Sequence, residues 1–116
     1  MATKVRQEGD VAIVEVTGKM KVGERNPDTV WGTVLDLLDK GQNKIVLDLT
    51  EVSGMDSGGV GELIASHTST ANRGGKLKVA GLSPRVAEVL QATLLLGVID
   101  DHDRVAAAVA SFDDAS

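Results

Sequence analysis

The chain has 116 residues, a net charge of −5 and no cysteine, which excludes a disulfide framework and cysteine-ligated zinc. An acidic chain with only two aromatic residues, Trp31 and Phe112, lacks the positive field and the stacking surfaces that nucleic acid binding needs. No apolar run approaches the ~20 residues needed to cross a bilayer, so we predict that the protein does not associate with a membrane. The absence of cysteine fits an intracellular setting, and we predict a cytoplasmic protein.

The first elements predict a β-hairpin. Strands are expected over Thr3–Gln7 and Val11–Thr17, and the short connection between them, Glu8–Asp10, favours antiparallel pairing. Alternating apolar residues predict that the second strand is half-buried, with one face formed by Ala12, Val14 and Val16. An irregular loop is expected over Gly18–Arg25.

A helix is predicted next. Asn26 is the expected N-cap, Pro27 occupies the first helical position, and Gly41 ends the helix. Apolar residues at helical spacing predict its buried stripe, which consists of Val30, Trp31, Val34, Leu35 and Leu38.

The central stretch combines a strand, a loop and a second helix. Ile45–Leu47, followed by Leu49, is the apolar and β-branched pattern of a strand buried on both faces, and Thr50–Met55 is expected to be a loop. After Asp56-Ser57, the apolar spacing becomes helical. The expected inward face is Val60, Leu63, Ile64, His67 and Ala71.

The remaining elements alternate in the same way. We expect a strand over Leu77–Ala80, a helix opened by Ser83-Pro84, a short strand at Val98-Ile99 and a final helix capped by Asp100 or Asp101. The inward residues of these two helices are expected to be Val86, Val89, Leu90 and Leu94, then Val105, Ala108, Val109 and Phe112.

This order of elements predicts an α/β fold in a single domain spanning 1–116, with 1–2 and 113–116 frayed. An antiparallel leading hairpin joins later strands that are parallel, because strands that alternate with helices are connected by right-handed crossovers. About four helices cover the resulting mixed β-sheet.

The junction between the central strand and the second helix is the candidate site. There Asp56 or Ser57 can cap the first N–H groups of the helix, and Gly58 and Gly59 lack the Cβ atoms that would obstruct a visitor. A phosphate on Ser57 would meet the N–H groups of Gly59 and Val60 and the positive end of the helix. On local pattern alone, Ser57 is most simply an ordinary helix cap.

Several short motifs, spaced along the chain as they are in one known family, extend over roughly Val11–Val109. They are Gly18, Ile45–Leu49 with Val52, Asp56–Leu63, Gly74–Leu77, Gly81–Pro84, and Val89-Leu90 through Leu96–Ile99. On these motifs the chain resembles a STAS domain, specifically the stand-alone bacterial anti-sigma factor antagonists. The chain departs from the usual family pattern at three places. Gly54 stands where the family usually has a large apolar residue, and Val60 stands where it usually has leucine. Gly58-Gly59 occupies the place of a second Ser or Thr, so no second hydroxyl stands two residues after Asp56.

The resemblance implies a phosphorylation-gated switch and not an enzyme. Unphosphorylated, the protein would bind an anti-sigma factor serine kinase and free a sigma factor; that kinase would phosphorylate Ser57, and a metal-dependent serine phosphatase would reset it. The expected docking residues are Asp56, Ser57, Gly58, Gly59, Lys19, Met20 and Lys21. A STAS-type ligand-binding or scaffold module of a larger signalling assembly is the alternative.

The sequence does not favour a serine hydrolase. A nucleophile elbow needs glycine where Met55 stands, and His67 would lie ~15 Å along the helix from Ser57, too far to act as its base. His102 is not excluded by spacing. Residues Gly58–Gly61 do not match a nucleotide phosphate loop, and we predict neither a cofactor nor a metal.

Other polar and small residues are expected to be structural. We expect Asp48 to make loop hydrogen bonds and Gly61 to pack closely between helix and sheet. His67 is expected to be a satisfied core histidine, and His102 a solvent-facing residue in the first turn of the last helix.

Overall fold

The computed structural model describes residues 2–20, 29–93 and 97–113. Its five-stranded sheet has the order β1 (Ala2–Glu8), β2 (Val11–Met20), β3 (Lys44–Met55), β4 (Lys76–Ala80) and β5 (Asp100–His102). The β1–β2 pair is antiparallel and all other pairs are parallel. The described helices are α1 (Val30–Asp39), α2 (Ser57–Asn72), α3 (Pro84–Ala92) and α4 (Val105–Ser111). The predicted fold class is confirmed.

The leading hairpin turns on two residues, Gly9 and Asp10. Gly9 has a φ of +62°, which glycine adopts without the steric cost that a Cβ atom brings. Pairing of Glu8 with Val11 and of Ala2 with Thr17 sets the register. The predicted antiparallel hairpin is therefore confirmed.

Both faces of the central strands are covered, whereas the edge strand β1 is mostly exposed. Strand β2 is buried on both faces rather than half-buried as predicted. One cluster joins Ala12 and Val14 to α1, α2 and α3. A second cluster joins Val11 and Ile13 to α4, whose Phe112 packs against that face. The alternation of apolar residues in β2 did not predict this burial, because α4 covers the face of the strand that would otherwise be exposed to water.

Strands β2 and β3 are longer than predicted. The loop predicted from Gly18 is instead strand as far as Met20, and the loop predicted over Thr50–Met55 is strand throughout, with Gly18 opposite Val52 and Met20 opposite Met55. Residues 21–25 of the first predicted loop lie outside the described residues. Register shifts interrupt this pairing twice, as β-bulges do. The two strands therefore form a ribbon that passes the level at which β4 ends, because β4 ends at Ala80, opposite Asp48.

Helix α1 begins later than predicted. Thr29, and not Asn26, is its N-cap, and the Thr29 hydroxyl accepts a 2.9 Å hydrogen bond from the N–H of Gly32. Asn26 and Pro27 lie outside the described residues. Gly41, at a φ of +82°, follows the C-cap as expected. Of the predicted stripe, Val30, Val34 and Leu38 are buried, whereas Trp31 and Leu35 are half-buried. Thr33 and Leu37, which were not predicted, are buried as well.

Helix α2 is rotated relative to the predicted orientation. Leu63 is fully buried, but Ile64 retains 43% of its exposure and Ala71 is exposed. The buried face includes two small polar residues, Ser66 and Thr70. The Thr70 hydroxyl donates to the carbonyl of Ser66 at 2.8 Å, so a small polar side chain can be buried where hydrophobicity alone would place an apolar one.

The last strand and helix also begin later than predicted. Val98 and Ile99 precede β5, in which Asp100 pairs with Lys78. Asp100 and Asp101 therefore lie in a strand and do not cap α4, whose N-cap Arg104 makes no side-chain hydrogen bond to the helix. Edge-strand pairing uses backbone groups, which explains why a polar segment can take this place.

Helix α3 begins as predicted. The Ser83 hydroxyl accepts from the N–H of Val86, Pro84 occupies the first turn, and Val86 and Leu90 are buried. Leu94 lies outside the described residues.

Candidate functional site

Ser57 lies at the carboxyl end of β3 as the first residue of α2, and its side chain is exposed. The strand ends at buried Met55, so the chain leaves the core two residues before Ser57. In sheets of this kind, ligands and partners commonly meet the carboxyl ends of parallel strands. The Ser57 hydroxyl is therefore accessible to a macromolecule.

Asp56 caps α2. Its carboxylate accepts a 3.0 Å hydrogen bond from the N–H of Gly59, and its carbonyl accepts another of 3.0 Å from Val60. A phosphate on Ser57 would therefore not find these two N–H groups unoccupied, contrary to the sequence-based expectation. The first two N–H groups of the helix, those of Ser57 and Gly58, have no intrahelical acceptor and lie at its positive end.

Asp56→Ala should lower the free energy of unfolding by about 1 kcal/mol, because it removes the carboxylate cap, whereas Asp56→Asn should retain most of it. Urea denaturation of both variants measures the difference. Equal stability of Asp56→Ala and the parent chain would contradict the capping role seen in the structure.

The two glycines after Ser57 differ in their surroundings. Gly59 is buried and Gly58 is half-buried, so close packing against the core accounts for Gly59 at least. Gly61, predicted to pack against the sheet, is instead exposed, and a Cβ atom there would meet nothing within 4 Å. A glycine in an exposed helix interior costs about 1 kcal/mol relative to alanine, with no gain inside this chain.

Ser57, Gly61, Ile64 and Thr68 are spaced at i, i+4, i+7 and i+11 and are all exposed. We call this set the outer stripe of α2. It starts at the candidate hydroxyl, continues over the bare backbone at Gly61 and includes the half-exposed apolar side chain of Ile64. Hydropathy alone places Ile64 in the core and therefore does not predict this stripe. The signal in the sequence is a glycine in the interior of a helix, at Gly61, although its exposure is seen only in the structure.

The end of β2 lies beside the start of α2. Lys19 pairs with Gly54 and Met20 with Met55, which places these two predicted docking residues on the strand next to the one that leads into Ser57. Lys21 lies outside the described residues. The predicted docking segments of β2 and α2 thus meet at one end of the sheet.

Trp31 connects α1 to α2. Its indole N–H donates to the hydroxyl of Ser69 at 3.2 Å, and its backbone N–H donates to Glu62 Oε1 at 3.3 Å. Glu62 lies within two turns of Ser57. These contacts fix the helix that carries the candidate site against its neighbour.

Neither histidine can act as a base for Ser57. His67 lies ten residues further along α2, ~15 Å along the helix axis. His102 pairs with Ala80, which pairs with Asp48, and Met55 lies seven residues beyond Asp48 along β3. That separation is on the order of 20 Å at the rise of a β-strand.

The surroundings of the two histidines also differ from the predictions. His102 lies in β5, with its Nε2 3.2 Å from Asp100, and not in a helix. His67 is half-buried, and its Nδ1 is buried without a hydrogen-bond partner among the described residues, so it is not a satisfied core histidine. Asp48 accepts hydrogen bonds from the N–H and the hydroxyl of Thr50, but both residues lie within β3 and not in a loop as predicted.

Shifted pKa values occur away from Ser57. The hydrogen bond and charge of Lys44 lower the pKa of Asp10, and Asp10 raises the pKa of Lys44, at the amino end of β3. Partial burial tends to raise the pKa of Asp100, but hydrogen bonds from Lys78 and His102 outweigh it and leave that pKa below its ordinary value. Strongly shifted pKa values are common at sites of acid–base catalysis, but all three of these groups lie far from Ser57.

No three His, Asp or Glu side chains within 2–20, 29–93 and 97–113 converge to hold a metal ion. None of the helices in those ranges has the length and hydrophobicity needed to cross a membrane.

The fold and site together define a class of α/β domain in which a serine is exposed at the start of the helix that follows a central strand. A model of the STAS domain matches residues 2–111, and the chain belongs to that family. No curated protein sequence matches the chain.

Solved structures with the same fold include several anti-sigma factor antagonists. A proposed antagonist from Thermotoga maritima is 25% identical, with a TM-score of 0.84 over 94% of this chain and 92% of that one. Unphosphorylated SpoIIAA is 14% identical, with a TM-score of 0.72 over 99% of this chain and 100% of that one. The Bacillus cell fate determinant SpoIIAA in its phosphorylated form is 18% identical, with a TM-score of 0.68 over 91% of this chain and 96% of that one.

Proposed function

We propose that this protein is an anti-sigma factor antagonist whose binding to an anti-sigma factor serine kinase is controlled by phosphorylation of Ser57. The observation that carries the proposal is the exposed Ser57 hydroxyl in the first turn of α2, next to the capping Asp56. The likeness to SpoIIAA, which has been solved with and without phosphorylation, supports it at the level of the fold.

The docking surface in this proposal combines Asp56, Ser57 and Gly58 with the end of β2 at Lys19 and Met20. Lys21 and Gly59 complete the predicted set, although Gly59 is buried and would act through its backbone. The outer stripe of α2 extends the surface only as far as Ile64, since Gly61 lets a partner approach the backbone and Ile64 offers apolar area for burial.

The unphosphorylated protein docks this surface on the kinase, and a sigma factor is released from that kinase. Phosphorylation adds about −1.5 to −2 charges beside Asp56. The helix dipole offsets part of the repulsion, by ~0.3–2 kcal/mol, and neither effect approaches the ~5–15 kcal/mol that stabilises a typical domain. The fold therefore persists while the docked state is lost, and a metal-dependent serine phosphatase in the cytoplasm restores it.

Phosphorylation by a cognate kinase tests this directly. Incubation with ATP and the serine kinase encoded nearest the gene should add a single phosphate, which peptide mapping by mass spectrometry should place on Ser57. Ser57→Ala should accept none, whereas Ser53→Ala, which alters another exposed serine nearby in the chain, should be modified normally. Phosphate on a different residue would refute the assignment.

A further inference from the structure

The outer edge of β1 is open. β1 is the first strand in the order of the sheet, and six of its seven residues are exposed. Alternate residues of an antiparallel strand exchange hydrogen bonds with the neighbouring strand, and the two-residue turn makes Glu8 and Val11 such a pair. The N–H and C=O groups of Thr3, Val5 and Gln7 therefore point away from β2. No backbone group in the described part of the chain pairs with them.

The length and regularity of β1 distinguish it from a protected edge. Edge strands in natural proteins are usually very short, interrupted by proline or a bulge, or covered by another element. The opposite edge follows this rule, since β5 has only three residues, two of them aspartates. β1 has seven residues, no proline and an uninterrupted register with β2. Val5, at its centre, is 42% exposed. Such an edge can accept a further strand.

This edge is complementary to a second copy of itself. If two β1 strands pair antiparallel about a two-fold axis at Val5, Thr3 of each copy lies opposite Gln7 of the other. Every residue whose backbone groups point outward then belongs to a hydrogen-bonded pair. The three side chains involved are uncharged and lie on the face that α1 covers, where the hydroxyl of Thr3 contacts that of Thr33 at 3.2 Å. The two Val5 side chains meet at the axis and shield each other from water.

The charged side chains of β1 lie on the other face. Arg6 is already compensated within the chain, by Glu15 at 2.9 Å and Glu8 at 3.2 Å. Lys4 makes no ion pair with any residue that the structure describes. In the dimer it would lie opposite Arg6 of the second copy and diagonal to Glu8 of that copy. These two lysine and arginine charges are balanced by the two glutamates, so the paired faces carry no net repulsion.

We propose that this chain forms a weak, reversible dimer in which the β1 strands of two copies pair antiparallel about Val5 and join the two sheets into one. The two-fold axis is perpendicular to the sheet and turns the carboxyl ends of the two β3 strands to opposite ends of the dimer. Both Ser57 junctions therefore stay uncovered, and the dimer is independent of the role proposed for Ser57. Association is weak because two seven-residue strands bury less than the ~1,200 Å² of a standard interface.

Sedimentation velocity of the full chain tests the dimer. The protein should be a monomer at about 10 µM and mainly a dimer at about 1 mM. At the higher concentration, isotope-filtered NOE spectra of mixed labelled and unlabelled protein should connect the Hα atoms of Lys4 and Arg6, which lie opposite each other in a non-hydrogen-bonded pair. A monomer at about 1 mM, a species larger than a dimer, or a dimer without this contact would overturn the proposal.

A charge at the axis locates the interface. Val5→Lys places two like charges opposite each other and should weaken dimerisation at least about tenfold. Val98→Lys adds the same charge at another exposed valine and should leave dimerisation within about twofold, because distant surface charges are screened. Equal losses in the two variants would show sensitivity to overall charge and refute the interface.

Two variants of β1 test the geometry. Val5→Pro should leave the monomer folded in urea denaturation, because its N–H faces away from β2, but should prevent dimerisation. An unfolded Val5→Pro would contradict the outward direction of that N–H. Lys4→Glu should strengthen the dimer about fivefold, since an opposite-charge contact with Arg6 replaces a like-charge one; weaker dimerisation would contradict the register. Ser57→Asp should dimerise normally, so failure of the switch and failure of the dimer are separable.

Discussion

Ser57→Asp should weaken binding to the anti-sigma factor kinase about a hundredfold, whereas Ser57→Ala should bind as tightly as the unphosphorylated protein and should not release on addition of ATP. A carboxylate in the docked junction would be desolvated without a partner, beside the like charge of Asp56. Such a group costs several kcal/mol in an interface, and about 2.7 kcal/mol corresponds to a hundredfold change. Titration calorimetry measures both affinities.

The matched control is Thr68→Asp. It places the same charge on the same outer stripe of α2 but ~16 Å further along the helix, beyond the predicted docking residues. It should change affinity by less than about threefold, since solvent and salt screen charges at such distances. Equal affinity of Ser57→Asp and the parent chain would count against the gating mechanism, even if Ser57 is phosphorylated.

Leu63→Ala should lower the free energy of unfolding by about 2–5 kcal/mol, whereas Ile64→Ala should change it by no more than about 0.5 kcal/mol. Leu63 has no exposed surface, so truncation leaves a cavity between α2 and the sheet. Ile64 retains 43% of its exposure, and alanine has the higher helix propensity, which offsets the small loss of burial. Urea or thermal denaturation of the two variants measures both.

The same pair separates folding from docking. Ile64→Ala should weaken kinase binding while leaving stability nearly intact, because its side chain belongs to the proposed partner surface. A large loss of stability in Ile64→Ala would show that this residue is packed in solution. Unchanged kinase affinity in that variant would confine the docking surface to the first turn of α2.

The position of the site explains how one small modification could act without refolding the domain. Buried residues flank Ser57 two positions before and after it, at Met55 and Gly59, and the Asp56 carboxylate caps the first turn of the helix. A charge added to the exposed hydroxyl would meet solvent in the free protein and a partner's surface in the complex. The added charge therefore destabilises the complex with the partner and not the free protein.

Local sequence patterns were sufficient to predict the alternation of strands and helices, the burial of β3 on both faces and the strand-to-helix junction at Ser57. Each depends on interactions between residues close in sequence, such as the cap from Asp56 to Gly59 or the turn at Gly9. Recognition of the family rested on the same short segments, since the spacing of motifs survives where overall identity is low.

Long-range packing decided the remaining features. The ribbon of β2 and β3 extends because the two strands continue to pair, and β5 starts at Asp100 because Lys78 is its partner there. Ile64 is exposed because α2 turns a different face toward its neighbours, and that buried face includes Thr70. Thr70 can be buried because its hydroxyl donates a hydrogen bond within the helix. Hydropathy assigns each residue a preference, but only contacts between distant segments determine which face of a helix is covered.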